Sequence, residues 1–263
     1  DLTTAYADRA ARVERSSVFL NLRAREVPAA MLVFDRVVAK KPSYRNVWLI
    51  HSVHEPAVKE NSFDIRRTDG ECNGRLLGTL LLPRAANRRI ETIGGPGRHA
   101  EVFGHRFEPD RPTLESQGWR LEVSPRAAAP EQRFLNAMQV MDAVPEQRPL
   151  PVTSIVSPPF IGARIGDAVV LFPEGGGQVS SRVEVATDSA GQADWVVTGL
   201  TPGAWRVRDR AGVVIGSGSV GEGETVLCFR AGGEGVVLEP TARALGDLPL
   251  PTAERRNESG VVA

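Results

Sequence analysis

Two of the four histidines lie close together, and their spacing decides what chemistry they can do. His51 and His54 stand three positions apart in the segment LIHSVHEP. On a helix that spacing would place both imidazoles on one face, as a pair that could bind a metal ion. The apolar run before His51 instead predicts a strand, in which side chains three apart point to opposite faces, and Pro56 disfavours a continuing helix. We therefore predict no metal site here.

Two interpretations of these histidines remain open. In the first, one is hydrogen-bonded in the core and the other lies at the end of the strand. In the second, one of them lines a cleft that binds a ligand. His51 is preferred for this role because a side chain at the end of an apolar strand can turn from the core to a cleft. His51 and His54 are thus the candidate substrate-binding residues, and the sequence identifies no catalytic residue.

No other motif assembles a recognisable active site. His99 and His105 follow the glycine-rich segment IGGPG. Neither Gly-Lys-Ser/Thr nor the start of a helix follows this segment, so it predicts a structural loop rather than a phosphate-binding one. The serine pairs at 16–17 and 180–181 lack the Gly-x-Ser-x-Gly setting of a nucleophile. The tryptophans lie in predicted strands, where core positions are commoner than exposed platforms for a ligand.

The charge balance excludes some partners. The chain has 32 Lys and Arg against 32 Asp and Glu, a formal net charge of zero. A nucleic-acid surface needs a basic excess, so we predict no nucleic-acid partner, although a local arginine cluster could hold another anionic ligand. No apolar run approaches 18 residues, which predicts no membrane span. The sequence begins Asp1-Leu2-Thr3, without Met or an apolar leader, and we expect it to be part of a longer protein.

The two cysteines, Cys72 and Cys228, fall in what we predict to be different domains. We expect two buried free thiols rather than a disulfide. Two cysteines alone do not supply the ligands of a zinc site.

Short apolar runs separated by turn residues recur along the whole chain and predict an all-β fold. The 26 Gly and 19 Pro punctuate these runs. Residues 119–123 alternate apolar and polar side chains, which is typical of a half-exposed strand. Residues 134–141 fit either a strand or a helix, and we predict a strand. The helix candidates are the short segments 6–13 and 241–245, so we expect antiparallel sheets throughout.

A change of composition divides the chain. Residues 144–151 contain three prolines and few apolar side chains, which is typical of a linker. We predict an antiparallel β-supersandwich over residues 1–143 and a smaller β-sandwich or barrel over residues 152–240. The second domain is expected to contain seven strands, at 168–172, 182–186, 194–197, 205–207, 213–215, 225–229 and 235–238. Residues 241–263 are polar and unpatterned, and we expect them to be disordered.

Several blocks, taken together in their order and spacing, resemble the heparinase II/III-like family of polysaccharide lyases. They are DLTTAY (1–6), RVERSSVFL (12–20), VFDRV (33–37), WLIH (48–51) ahead of Pro56, LLLP (80–83), IGGPG (93–97), GWRLEVSP (118–125), FLN (134–136) and TGLTPGAW (198–205). Each block alone is short. The resemblance covers about 240 residues and comes from the order in which the blocks occur.

The resemblance implies a helical α/α-toroid ahead of a β-supersandwich and a smaller β domain at the end. It implies β-elimination of acidic polysaccharides that contain uronic acids, by proteins that are secreted or periplasmic. The family's paired His-x-His, downstream Asp and His-Asn elements have no counterpart in this sequence, so the chain alone is expected to be inactive. No cofactor is expected in this chain, and a divalent metal such as zinc is implied only for the full-length protein.

A second hypothesis is a non-catalytic carbohydrate-binding or adhesive β module of a secreted protein. A preceding toroid with paired histidines would favour the lyase, whereas another β repeat would favour the module. Under both hypotheses the polysaccharide is the ligand, and His51 and His54 are the residues placed to contact it.

Overall fold

The computed structural model of the chain describes residues 1–22, 24–114, 116–187 and 190–242. The chain divides into two compact units: Asp1–Ser17 with Leu22–Pro149 form the first, and Val18–Asn21 with the chain from Leu150 onwards form the second. Among the described residues the only helices are two short 3-10 helices, Thr3–Tyr6 and Ala85–Asn87. The fold is therefore all-β, as the sequence predicted.

The described strands of the first unit form two facing sheets and a small hairpin. The strands are β1 (Ala10–Asn21, whose last four residues are grouped with the second unit), β2 (Ala29–Ala39), β3 (Trp48–Ser52), β4 (Ala57–Lys59), β5 (Ser62–Arg67), β6 (Gly74–Leu82), β7 (Arg88–Gly94), β8 (Glu101–Val102), β9 (His105–Arg106), β10 (Trp119–Pro125) and β11 (Glu131–Asp142). Six of them form a sheet of order β1-β2-β11-β6-β5-β4. Strands β3-β10-β7 form a three-stranded sheet with antiparallel pairing, and β8-β9 form the hairpin.

The core of the first unit lies between its two larger sheets. Alternation along each strand sends one set of side chains inward, where removal from water stabilises the fold. The inward set comprises Val33, Trp48, Phe63, Leu80, Leu121, Val123, Phe134 and Met138. Phe63 illustrates the close packing: its ring lies directly over Gly78, its partner across β5 and β6, where a Cβ would be 2.1 Å from the ring.

Ion pairs cross the six-stranded sheet between neighbouring strands. Arg15 of β1 donates to both carboxylate oxygens of Asp35 in β2, at 2.6 and 3.0 Å. Arg36 donates to Glu131 of β11 at 3.0 Å and to Glu14 of β1 at 3.2 Å. Burial raises the pKa of Asp35, and the hydrogen bonds from Arg15 partly offset that rise. These pairs join three adjacent strands through their side chains as well as their backbones.

The described strands of the second unit form a β-sandwich. They are β12 (Val152–Ser157), β13 (Phe160–Ile165), β14 (Ala168–Pro173), β15 (Val183–Ala186), β16 (Gln192–Val197), β17 (Gly203–Arg208), β18 (Val214–Val220), β19 (Leu227–Gly232) and β20 (Gly235–Thr241). A five-stranded sheet of order β12-β13-β14-β16-β19 faces a four-stranded sheet of order β15-β20-β17-β18. Side chains of both sheets meet in one core, in which Trp195 and Trp205 are the largest fully buried residues.

Two features of the second unit differ from the sequence-based predictions. Strands β12 and β13 were missed, because prolines at 151, 158 and 159 and the polar residues around them masked the apolar pattern. The expectation of antiparallel pairing throughout was also wrong, since β14 pairs in parallel with β16, with Ala168 opposite Asp194. β15 lies between them in the chain and joins the opposite sheet, so β16 returns to β14 in the same direction.

The predicted strand at 134–141 is confirmed as part of β11. The helix candidate at 6–13 was wrong, because the 3-10 helix ends at Tyr6 and β1 begins at Ala10. The candidate at 241–245 and the predicted tail at 241–263 lie outside the described residues, apart from Thr241 and Ala242.

Both cysteines are free, but the prediction that they are buried was wrong. Cys72 lies in the turn region that precedes β6 and is exposed. Cys228 lies in β19, where alternation directs its neighbour Leu227 into the core and Cys228 away from it. The apolar sequence around Cys228 indicated burial without indicating which face of the strand the thiol occupies.

Substitution of Gly162 tests the packing of the second unit. Gly162 of β13 lies opposite Leu171 of β14, and a Cβ there would be 1.9 Å from the Val170 carbonyl oxygen. Gly162→Ala should therefore force the two strands apart and lower the free energy of unfolding by at least about 2 kcal/mol. The measurement is thermal denaturation followed by circular dichroism.

Gly175→Ala is the matched control, because nothing lies within 4 Å of a Cβ at this exposed turn position. It should melt within about 1 °C of the wild type, since open surface substitutions change stability little. Equal melting of Gly162→Ala and wild type would show that β13 and β14 are not paired in this register.

Candidate functional site

The face of the three-stranded sheet that points away from the core carries charged residues that are nevertheless buried. Along β10, Leu121 and Val123 point into the core, so Arg120 and Glu122 point to the opposite face. Arg120 is only 6% exposed and Glu122 only 3%. We call this surface the outer face; its members on the three strands are Leu49, His51, Arg89, Glu91, Ile93, Arg120, Glu122 and Ser124.

Glu122 is held by two arginines, one on each carboxylate oxygen. Arg120 Nε donates to Glu122 Oε1 at 2.8 Å, and Arg45 Nη2 donates to Glu122 Oε2 at 2.8 Å. Arg45 also lies 3.9 Å from a carboxylate oxygen of Glu91 on the neighbouring strand β7. Burying a carboxylate is costly unless charge-assisted hydrogen bonds satisfy it, and both of its oxygens are satisfied here.

The same two arginines attach the β8-β9 hairpin to the outer face. Arg120 Nη2 donates to the backbone carbonyl of Glu101 in β8, at 2.8 Å. The Arg45 guanidinium lies 5.0 Å from the centre of the Phe103 ring, within the range of a cation–π contact. The hairpin, residues 101–106, is therefore positioned by contacts that begin at one buried carboxylate.

His51 lies on the outer face beside this ion pair. It is exposed and stands opposite Arg120 in the pairing of β3 with β10. The interpretation that His51 is a buried core histidine is therefore wrong, because alternation sends Trp48 and Ile50 inward and His51 outward. Burial of part of the ring lowers the pKa of His51, the positive charge of Arg120 lowers it further, and Glu122 opposes both effects. The imidazole is accordingly neutral at neutral pH and can both donate and accept a hydrogen bond.

His54 has a different environment. Its Nε2 lies 2.8 Å from Asp69 Oδ1, and this hydrogen bond lowers the pKa of Asp69. The two residues line an open depression together with Glu55, Ala57, Asp64, Arg66 and Thr68. The structure thus gives His51 and His54 different charged neighbours.

Asp64 in this depression is held by two arginines. Arg66 and Arg75 donate to it at 3.0 and 2.8 Å. Burial alone would raise the pKa of Asp64, but the hydrogen bonds from Arg66 and Arg75 outweigh that effect and lower it. The carboxylate of Asp64 is therefore charged and paired with arginines.

Exposed aromatic side chains were the feature that sequence reasoning missed. Trp48, Trp195 and Trp205 are buried, as predicted, and Trp119 is half-buried. Phe103 and Phe107, by contrast, are 61% and 64% exposed on and beside the hairpin. The only signal for them was a Phe-Gly pair between two short polar segments.

The remaining histidines also lie around the hairpin. His99 Nε2 lies 3.3 Å from a Glu108 carboxylate oxygen, and the His105 ring packs edge-on against Phe107, with centres 6.4 Å apart. Among the described residues, no group of three or more His, Cys, Asp or Glu side chains is placed to hold a metal ion. The outer face and hairpin therefore offer arginines, a neutral imidazole and exposed phenyl rings, which suit binding through hydrogen bonds and stacking.

Comparison with known protein families identifies the second unit. The heparinase II C-terminal domain matches residues 155–240, which extend from β12 to β20 and cover nearly the whole second sandwich. The chain thus contains a heparinase II/III-like C-terminal domain, as the resemblance of its sequence blocks predicted. No curated protein matches the chain. None of the described helices is long and apolar enough to span a membrane.

Removing the charge of Glu122 tests its role as the centre of the outer face. Glu122→Gln should lower the free energy of unfolding by about 3–5 kcal/mol, because it leaves the buried Arg120 without its counter-charge. Chemical denaturation of the two proteins measures the difference.

The exposed pair between Arg98 and Glu101 is the control. The two side chains are 3.2 Å apart, and about half of Arg98 and one third of Glu101 is exposed. Arg98→Gln should therefore lower the free energy of unfolding by less than about 1 kcal/mol. A loss for Glu122→Gln as small as that of Arg98→Gln would mean that the outer-face ion pair is not buried in solution.

The lowered pKa of His51 is measurable by NMR. Its imidazole resonances should titrate with a midpoint below about 6.5, the ordinary value, and His51→Gln identifies them by their loss. Because the folded pKa is below the unfolded one, the unfolded chain takes up the proton first as the pH falls. The contribution of His51 to stability is therefore full above about pH 6.5 and decreases from there towards the folded pKa. A midpoint at or above the ordinary value would contradict the partial burial of the His51 ring beside Arg120.

Proposed function

We propose that this chain is the C-terminal β-sheet region of a heparinase II/III-like polysaccharide lyase, which acts by β-elimination on uronic-acid-containing polysaccharide. The observation that carries the proposal is the heparinase II C-terminal domain at residues 155–240. The sequence blocks of the first unit, which resemble the same family, extend the assignment across the sandwich that precedes it.

The first unit is proposed to bind the polysaccharide on its outer face. A uronate sugar presents a carboxylate and hydroxyl groups, which are recognised by guanidinium donors and by a neutral imidazole. Arg45 is 45% exposed and His51 is exposed, so both can be reached from solvent. His54, in the depression with Asp69, is the second proposed contact.

The proton-transfer steps of β-elimination are proposed to come from residues outside this chain. The reaction needs a group that neutralises the uronate carboxylate, a base for the C5 proton and an acid for the leaving oxygen. His51 is neutral, but its charged neighbours Arg120 and Glu122 are both committed to the buried ion pair. We assign the missing groups to an N-terminal α/α-toroid of the same protein.

The metal implied by the resemblance does not fit this chain. A zinc site requires three or four nitrogen, sulfur or oxygen ligands, and no such group is placed together among the described residues. We therefore assign a divalent metal such as zinc no residue of this chain, and describe the proposed reaction without one.

The protein is proposed to act in the periplasm or as a secreted protein. Proteins that carry heparinase-like domains are typically extracellular or periplasmic, which is where polymeric acidic sugars would be met.

A second candidate function is a non-catalytic carbohydrate-binding or adhesive module. It is favoured by the described part of the outer face, where the one buried carboxylate, Glu122, is held by Arg45 and Arg120 and is not placed to act as a base. The two candidates agree on the ligand and differ in whether the longer protein breaks it.

Enzyme assays with the chain alone and with the longer protein that contains it separate the candidates. The chain alone should not depolymerise heparin, heparan sulfate or alginate, whereas the longer protein should release unsaturated uronate from at least one of them. Ultraviolet absorbance of that product is the readout. Product formed by the purified chain alone would refute the assignment of proton transfer to other residues, and no product from the longer protein would favour the binding module.

Calorimetric titration tests the shared binding role. The chain should bind the polysaccharide that the longer protein cleaves, with an affinity that falls as salt is added, because the contact is partly ionic. A chain that binds no uronate polymer would exclude the proposed binding role of the outer face and the binding-module candidate.

A further inference from the structure

The tip of the β8-β9 hairpin has a backbone conformation that its residue type disfavours. Val102 pairs with His105, so Phe103 and Gly104 form a two-residue turn. Both have positive φ, at 50° and 80°. Such a turn favours Asn-Gly or Gly-Gly, because a bulky side chain is strained in the left-handed region. A phenylalanine at this position is therefore unfavourable for the turn itself.

Burial does not compensate for this strain. The Phe103 side chain is 61% exposed, so most of its surface gains nothing from packing. Its contact is with Arg45, whose guanidinium lies 5.0 Å from the ring centre. Arg45 is in turn fixed by Glu122. The structure thus holds an exposed aromatic ring and a half-exposed cation in a defined arrangement, and strain retained at an exposed residue is typical of functional sites.

The surroundings of the ring favour a sugar over a protein surface. The exposed apolar residues Val102, Phe103 and Phe107 lie among charged residues on and beside the hairpin, which pair as Arg98 with Glu101 and Arg106 with Glu108. The centre of a protein interface is usually depleted of charge. A pyranose combines an apolar C–H face with polar edges and matches this mixture of apolar and charged side chains.

We propose that Phe103 and Arg45 form a subsite for one uronate residue of an acidic oligosaccharide, with the sugar's C–H face stacked on the Phe103 ring and its carboxylate on the Arg45 guanidinium. The subsite rests on the proposed function and adds to it the residues that select the ligand. The exposed edge of Arg45 donates hydrogen bonds to the sugar carboxylate, while Glu122 keeps the guanidinium in place. His51 lies on the same outer face and contacts the adjoining part of the oligosaccharide.

Phe103→Asn separates binding from folding. Asparagine is favoured at positive φ and in front of glycine, so this variant should melt at or above the wild-type temperature. Because the variant lacks the phenyl ring, its affinity for alginate- or heparin-derived tetrasaccharides should fall roughly 5- to 10-fold, which is the loss expected for one stacked ring. Calorimetry gives the affinity, and NMR of the hairpin amides gives the location. Cellotetraose, which has no carboxylate, should bind more weakly than the acidic tetrasaccharides.

Tyr6→Asn is the matched control, because Tyr6 is also an exposed aromatic residue of the first unit but lies outside the hairpin. It should bind the acidic tetrasaccharides as the wild type does.

Different experimental outcomes would overturn different parts of the proposal. Wild-type affinity in Phe103→Asn would overturn the subsite and leave the proposed binding function intact, whereas no binding by the wild-type chain would overturn both. Equal affinity for cellotetraose would overturn the role of the carboxylate and Arg45. Self-association of the wild-type chain that Phe103→Asn abolishes, with sugar affinity unchanged, would identify the ring as a protein contact and overturn the proposal.

Discussion

The burial of one carboxylate, that of Glu122, constrains the whole outer face of the first unit. A charge removed from water must be met by charges or donors of matching geometry, and Glu122 meets Arg120 on one oxygen and Arg45 on the other. Those arginines cannot then rotate freely, and each reaches a second group. Through them the hairpin backbone at Glu101 and the ring of Phe103 take fixed positions.

The same charges set the chemistry that the outer face can perform. Partial burial lowers the pKa of His51 and the charge of Arg120 lowers it further, so the imidazole stays neutral and polar instead of becoming a third cation. Because Arg120 and Glu122 neutralise each other, they add no net charge for a ligand. Of the three side chains in this ion-pair group, Arg45, Arg120 and Glu122, Arg45 is the one that keeps an edge exposed to solvent. In the proposed function, this edge of Arg45 is the part of the outer face that contacts the sugar carboxylate.

The family match and the candidate binding surface lie in different parts of the chain. The match to the heparinase II C-terminal domain lies in the second unit, whose strands are dominated by apolar side chains and whose largest residues, Trp195 and Trp205, are core residues. The candidate contacts lie in the first unit, on a sheet face and hairpin that the family match does not cover. Experiments on the outer face therefore test a property that the family match by itself does not imply.

The sequence by itself determined the all-β fold and the strand at 134–141, because turn residues and period-two patterns are local properties of the chain. Its prediction of a half-exposed strand at 119–123 was wrong, because the polar residues Arg120, Glu122 and Ser124 are buried along with their apolar neighbours. The sequence also singled out His51. Only the tertiary structure decided that Arg120 and Glu122 are buried. Arg45, which binds Glu122, lies 77 positions away in sequence, and no local pattern predicts that the two residues meet. The parallel pairing of β14 with β16 and the exposure of Phe103 were decided in the same way, by which strands and side chains meet after folding rather than by which are adjacent in the chain.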